Sequence, residues 1–193
     1  MAKRAFNTEV AKKILKGIVI AAGVSGGVLV LAALPGLGVV LKKVFEGYND
    51  LRPKDRHRVR MSYEAIRRAR LITVRQITDG KIEIMLTSSG KKKLLQYRLK
   101  DMHIAKQKVW DRTWRIVIFD LPKRYARVRN LWRGKLKALG FVQLQRSVWV
   151  YPYPCRHEID FVSEYFGISP YIRLLETSAF DGSVAYEEMF ALR

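Results

Sequence analysis

The sequence predicts an α+β protein in three parts, and three observations carry that prediction. An uncharged apolar run near the amino end is followed by a strongly cationic stretch in which helical spacing gives way to a hairpin. Alternating strand and helix signals then run to the carboxyl end. The 193 residues suffice for one ordinary domain or two small ones. Lys and Arg number 37 against 17 Asp and Glu, a net charge of +20, while 49% of the chain is apolar. So apolar a chain folds rather than remaining a basic tail, and a field of that sign draws polyanions: phosphate backbones or anionic lipid. Cys155 is the only cysteine, which excludes an intramolecular disulfide and any cysteine-cluster metal site and fits a reducing compartment.

The first part, residues 1–47, reads as an apolar helical segment. Residues 17–41, GIVIAAGVSGGVLVLAALPGLGVVL, are 25 residues without a charge, longer than the roughly 20 needed to cross a bilayer as a helix. Lys12, Lys13 and Lys16 precede the run and Lys42 and Lys43 follow it, so basic flanks leave the orientation open. Two readings stand: a membrane anchor through residues 17–41, or two core helices broken at Pro35-Gly36.

The second part, residues 52–108, concentrates the charge. It holds 17 Lys and Arg against 5 Asp and Glu, a net of 17 − 5 = +12. In RHRVRMSYEAIRRARLI, Val59, Tyr63 and Ile66 fall at helical spacing with Ser62 as a candidate cap, and the other face is arginine. In LITVRQITDGKIEIMLT two alternating apolar runs flank Asp79-Gly80, a hairpin signal. A further helix from Ser88 or Ser89 carries three lysines. Helix, hairpin, helix predicts a winged-helix DNA-binding domain. Its candidate DNA contacts are Arg56, Arg58, Arg60, Arg67, Arg68 and Arg70 on the helix, Arg75 and Lys81 on the wing, and Lys91, Lys92 and Lys93 after it. The competing reading is a solvated charged face.

The third part, residues 110–180, divides its charge unevenly: 10 basic to 2 acidic residues over 110–146, and 3 to 7 over 147–193. WRIVIFD reads as a buried strand stopped by Leu121-Pro122. Arg124 to Leu139 reads as a helix with Val128, Leu131, Trp132, Leu136 and Leu139 inward and Gly140 as its stop. FVQLQ and RSVWVYPYP make a strand pair, HEIDFVSEYFG a helix closed by Gly167, and YIRLLET a last strand. This order is that of a ferredoxin-like βαββαβ domain, followed by a tail over residues 181–193. Trp149, Tyr151 and Tyr153 alternate along one strand and form either a stacking platform for bases or a packed core. Cys155-x-His157 is an isolated pair of donors, and no phosphate-loop or dinucleotide glycine pattern is present.

The residues WRIVIFDLPKRYARVRNLWRGKLKALGFVQLQRSVWVYPYP resemble the central domain of the PaaX family of bacterial transcriptional repressors, itself similar to the small CRISPR-associated Cas-two protein of spacer acquisition. Asp120 at the strand end, Arg127 and Arg129, Gly140-Phe141, and Gln145-x-Ser147-Val148-Trp149 carry the likeness. The helix and hairpin before it are similar to the winged helix of PaaX-like repressors. The amino end departs, its glycine-rich apolar stretch standing where the ordinary first helices would be. The resemblance implies a cytoplasmic repressor, tethered to the membrane if residues 17–41 span it, that binds double-stranded DNA as a homodimer through its Cas-two-like domain and needs no cofactor. The alternative it implies is a magnesium-dependent endonuclease, or a structural partner in spacer acquisition. There Asp120 would be catalytic and bind Mg²⁺, with Arg127 and Arg129 on the phosphates; the competing role for Asp120 is capping the turn at Lys123 and Arg124.

Overall fold

The computed structural model describes residues 8–21, 28–31, 41–42, 47–76 and 82–192. They divide into two compact units, Met1–Lys100 and Asp101–Arg193.

The first unit opens with α1 (Thr8–Ala21). Ala11, Ile14, Leu15 and Ile18 are fully buried at positions i, i+3, i+4 and i+7, so one face of α1 is core. A strand, β1 (Val28–Leu31), follows. After it come α2 (Pro53–Arg68), β2 (Ile72–Gln76), β3 (Ile82–Leu86) and α3 (Ser88–Asp101). The three strands make an antiparallel sheet in the order β1-β3-β2, with Leu29 opposite Ile84 and Val74 opposite Ile84 from the other side. One cluster joins the α1 face and Leu41 to Val59, Tyr63 and Ile66 of α2, Leu71 and Ile72, Ile84 and Leu86 of β3, and Tyr97 of α3.

The described residues give the membrane-anchor reading of residues 17–41 no support. The helix that enters the apolar run begins in the charged flank at Thr8 and ends at Ala21 after 14 residues. At 1.5 Å per residue that is about 21 Å, short of the roughly 30 Å hydrocarbon layer. Val28–Leu31 is extended and bonded to β3 rather than helical. Among the described residues no helix is long and apolar enough to cross a membrane. Within the run, Ile18 and Leu41 are fully buried by protein. Pro35-Gly36 lies outside the described residues, as does the turn Asp79-Gly80 with Lys81.

Ser62 does not cap α2: it lies mid-helix and buried, 4% exposed. The helix starts instead at Pro53, whose fixed φ and missing N–H suit the first helical position. α3 starts at Ser88 because Thr87 caps it. The Thr87 hydroxyl accepts a bond from the Gly90 N–H at 3.0 Å and donates to the Arg70 carbonyl at 2.7 Å. Thr87 therefore fastens the start of α3 to the turn that leaves α2. Glycine is required at position 90, since a Cβ there would stand 1.9 Å from the Leu71 carbonyl oxygen.

The second unit contains β4 (Trp114–Phe119), α4 (Ala126–Ala138), β5 (Val142–Gln145), β6 (Val148–Tyr151), α5 (Arg156–Phe166), β7 (Ile172–Thr177) and α6 (Ser183–Phe190). The predicted strand, helix, strand, strand, helix, strand order is present. The sheet runs β5-β6-β4-β7 with every neighbouring pair antiparallel, so β4 and β5 are parallel with β6 between them. α4 closes at Gly140 and α5 at Gly167, both in the left-handed region at φ +95° and +66°. Phe119 meets Trp132 of α4 edge-on at 6.2 Å. Residues 181–193, read from sequence as a tail, contain α6, whose Phe190 packs on Trp114 and Tyr151. Leu131, expected inward, is 59% exposed on α4.

Two alanine substitutions at glycine test this packing. Gly90→Ala, driven into the Leu71 backbone, should lower unfolding free energy by about 2–4 kcal/mol in urea titration. Gly134→Ala, in α4 with nothing within 4 Å of its new Cβ, should raise it by about 0.5–1 kcal/mol.

Candidate nucleic-acid interface

The inward face of α2 is set by Val59, Ser62, Tyr63 and Ile66, all buried. Helical geometry then turns the remaining positions outward, and Arg56, Arg58, Arg60, Arg67 and Arg68 are all exposed, with His57 among them. Some of these cations have neighbours. Arg58 pairs with Asp55 at 3.6 Å, Arg67 with Glu64 at 3.7 Å, and the Arg56 Nε–H donates to the Leu51 carbonyl at 2.9 Å. Solvent-accessible ion pairs of this kind are weak, about 0.2–1 kcal/mol. Arg60 and Arg68 make no hydrogen bond or ion pair among the described residues.

The other predicted contacts spread over neighbouring elements. Arg70 follows α2 in the left-handed conformation at φ +54°, exposed, with its carbonyl held by Thr87. Arg75 is exposed on β2 opposite Glu83 of β3. Lys91 and Lys92 are exposed at the start of α3. Lys93 is half-buried and leans over the Tyr97 ring at 5.2 Å, which makes it a packing residue first. Lys81 lies outside the described residues. Burial raises the Tyr63 and Tyr97 hydroxyl pKa values, so both stay neutral beneath this cationic surface.

In the second unit the candidate catalytic corner is the end of β4. Asp120 is exposed; its backbone N–H donates to the Tyr171 carbonyl at 3.3 Å. Its carboxylate makes no hydrogen bond or ion pair among the described residues, and the turn at Lys123–Tyr125 has no side-chain cap, so the anticipated capping contact is not made. No three His, Cys, Asp or Glu side chains gather as metal donors among the described residues. A single exposed carboxylate does not make a magnesium site within one chain. Arg129 is not free for a phosphate: its guanidinium donates to the carbonyls of Leu121 and Pro122 and holds the loop that follows Asp120. Arg127 is exposed. Arg124 donates to the Tyr171 hydroxyl at 2.8 Å.

The aromatic run is core, not a platform: Trp149, Tyr151 and Tyr153 are all buried, Tyr151 stacking on Phe141 at 4.9 Å. Cys155 is buried, with desolvation pushing its thiol up to about 12, while His157 is exposed, so the two do not form a donor pair.

Sequence reasoning missed Arg115. It is 5% exposed on β4, held by Asp111 through two bonds of 2.7 and 2.6 Å and by the Pro152 carbonyl at 2.9 Å. The signal was available in the i, i+4 spacing of Asp111 and Arg115, but an arginine inside WRIVIF reads as a strand interruption rather than as a buried pair.

Comparison with known proteins bears on the second unit. Residues 107–188 match the family model described as PaaX protein central Cas2-like domain. No curated protein matches the chain. The matched residues take in β4 through most of α6, with the Asp111–Arg115 pair inside them.

Asp111 is held below the usual carboxylate range chiefly by its hydrogen bonds from Arg115, burial opposing. A lowered folded value means that the pair's stabilisation is complete above the usual aspartate range and is lost as pH falls through the folded value. Asp111→Asn should therefore lower the melting temperature at pH 7 and flatten the acid limb of the stability profile. The same acid limb in wild type and variant would show that the pair contributes nothing.

Proposed function

We propose that the protein is a DNA-binding transcriptional regulator of PaaX type, a repressor, whose first unit is a winged helix with α2 as the helix that enters the major groove. The observation that carries this reading is the exposed arginine face of α2, set directly before the β2–β3 hairpin in a sheet ordered β1-β3-β2. A helix with one apolar face seated on α1 and five arginines outward offers base-edge and phosphate contacts from one rigid element. Arg70 and Arg75 would extend the phosphate contacts along the wing, and Lys91 and Lys92 beyond it.

The second unit, read as ferredoxin-like from its strand order, supplies the dimer in this proposal. Its sheet carries Ile116 and Ile118 partly exposed, with Val148 opposite Ile118 and Leu175, 50% exposed, opposite Ile116. Cross-strand partners share a face, so these four lie on one side of the sheet, with Arg173 also opposite Ile118, and offer apolar area to a second copy. A two-fold dimer of winged helices reads a palindromic site.

Selection from random duplexes should enrich a two-fold symmetric motif. On that duplex, Arg60→Ala and Arg68→Ala should each weaken binding about 3- to 10-fold. Each should also reduce the slope of log affinity against log salt by about 0.9, the value for one phosphate no longer neutralised. Binding and slope unchanged in the double variant would remove α2 from the interface.

A further inference from the structure

A cavity of about 280 Å³ opens in the second unit, between the end of α4 and the segment His103–Lys106. We propose that it is a binding site for a small organic acid, a monocarboxylate on an apolar body the size of one ring or a short alkyl chain. The site belongs to the second unit and the arginine face of α2 to the first, and the proposal does not depend on the DNA reading.

Its walls are Ile104, Leu139 and Phe190, an apolar lining that favours a hydrophobic body over a sugar or a free phosphate. Tyr151 supplies the polar group. The residue is 3% exposed, its ring clamped by Phe141, Tyr153 and Phe190. Its hydroxyl makes no hydrogen bond among the described residues, yet it is not sealed as Trp114 Nε1 and Trp149 Nε1 are, because Tyr151 lines the cavity. Buried phenols ordinarily find a partner, so a fixed hydroxyl facing an open cavity is a group waiting for an acceptor. Gly140 keeps that approach clear. At φ +95° it has no Cβ; one placed there would crowd the Tyr151 ring at 3.2 Å and stand 3.9 Å from its hydroxyl.

Charge decides the sign of the ligand. His103 and Lys106 stand exposed among the lining residues, and no acid is among them. The His103 Nδ1 is engaged with the Asp101 carbonyl at 3.2 Å, and Lys106 is the lysine among the lining residues that can meet an anion. An apolar body between Leu139 and Phe190 and a carboxylate that accepts from the Tyr151 hydroxyl and faces Lys106 use the apolar and polar features of the cavity. Its volume falls just below the roughly 300–1,000 Å³ of drug-sized ligand pockets, which limits the occupant to a small molecule.

The test uses the full chain with benzoate and hexanoate, and with benzamide and hexanamide as neutral partners of equal size, followed by saturation-transfer NMR and calorimetric titration. Saturable binding of at least one acid at millimolar concentration or below is expected, with its amide about tenfold weaker. Lys106→Gln, at an exposed position, should weaken the acid about tenfold and leave the melting temperature unchanged. Tyr151→Phe should weaken it several-fold; if that variant does not fold, Lys106→Gln still decides. No saturable binding of either acid at about 10 mM, equal binding of acid and amide, or binding untouched by Lys106→Gln would each overturn the proposal.

Discussion

A helix as cationic as α2 can be held in place only if something wholly apolar covers its one lipophilic stripe, and the first unit is organised around that requirement. Val59, Tyr63 and Ile66 are the large side chains that α2 can bury, and α1 meets them with Ala11, Ile14, Leu15 and Ile18, all without exposure. Burying a side chain of this size contributes roughly 1.5–3 kcal/mol, enough to offset crowding five like charges on the outer face in salt solution. The apolar amino end and the arginine run are therefore complementary halves of one core. Neither makes physical sense alone: α1 without α2 exposes a greasy face, and α2 without α1 has no reason to stay on the unit.

That complementarity explains what was legible in the sequence and what was not. The strand and helix order of the second unit could be read because its signals are local: Pro122 after β4, Gly140 and Gly167 where a left-handed stop is required, Pro152 and Pro154 after β6. The hairpin strands of the first unit could be read for the same reason, by period-two alternation. The strand at residues 28–31 could not, because length without charge is a local criterion and this strand is made by long-range pairing. Val28–Leu31 became a strand because β3 offered it a free edge more than fifty residues away, a partner no local window contains. The charge boundary at Gly17 misled for a related reason. Lys12, Lys13 and Lys16 belong to the same helix as Ile14, Leu15 and Ile18, Lys13 and Lys16 on its exposed side and Lys12 half-buried at the flank.

The junction between the arginine helix, the hairpin and α3 shows how little sequence such a fastening needs. Thr87, one residue past β3, bonds backward to the carbonyl of Arg70 and forward to the amide of Gly90. The Leu71 carbonyl receives the Thr87 N–H and leaves room for no side chain at position 90. Through this corner the end of α2, both hairpin strands and α3 share one set of backbone positions. Ser88 and Ser89 have the chemistry of caps, yet the hydroxyl one residue earlier takes the role because it reaches both the third amide of the helix and the turn after α2.

A net charge of +20 overstates the cations free to meet a polyanion, and the structure tells which to discount. Arg115 is spent on Asp111 and two carbonyls in the interior, Arg129 on the loop after Asp120, Arg133 on the carbonyl of Arg146, and Arg124 on Tyr171. In each of these cases the guanidinium acts as a directed donor to backbone, carboxylate or phenol, a use for which its fixed fork suits it better than an ammonium. On α2 the partners are the neighbouring carboxylates of Asp55 and Glu64, the Leu51 carbonyl, or none among the described residues, and the arginines themselves stand exposed. The sequence pattern that separates the two uses is the face on which the arginine falls. Those interleaved with a buried stripe at helical spacing point outward together, whereas those scattered through strand ends and single helix turns are drawn to whichever carbonyl the fold leaves without a donor. The charge of the second unit is thus in good part structural, whereas on α2 Arg60 and Arg68 have no side-chain hydrogen bond or ion pair among the described residues.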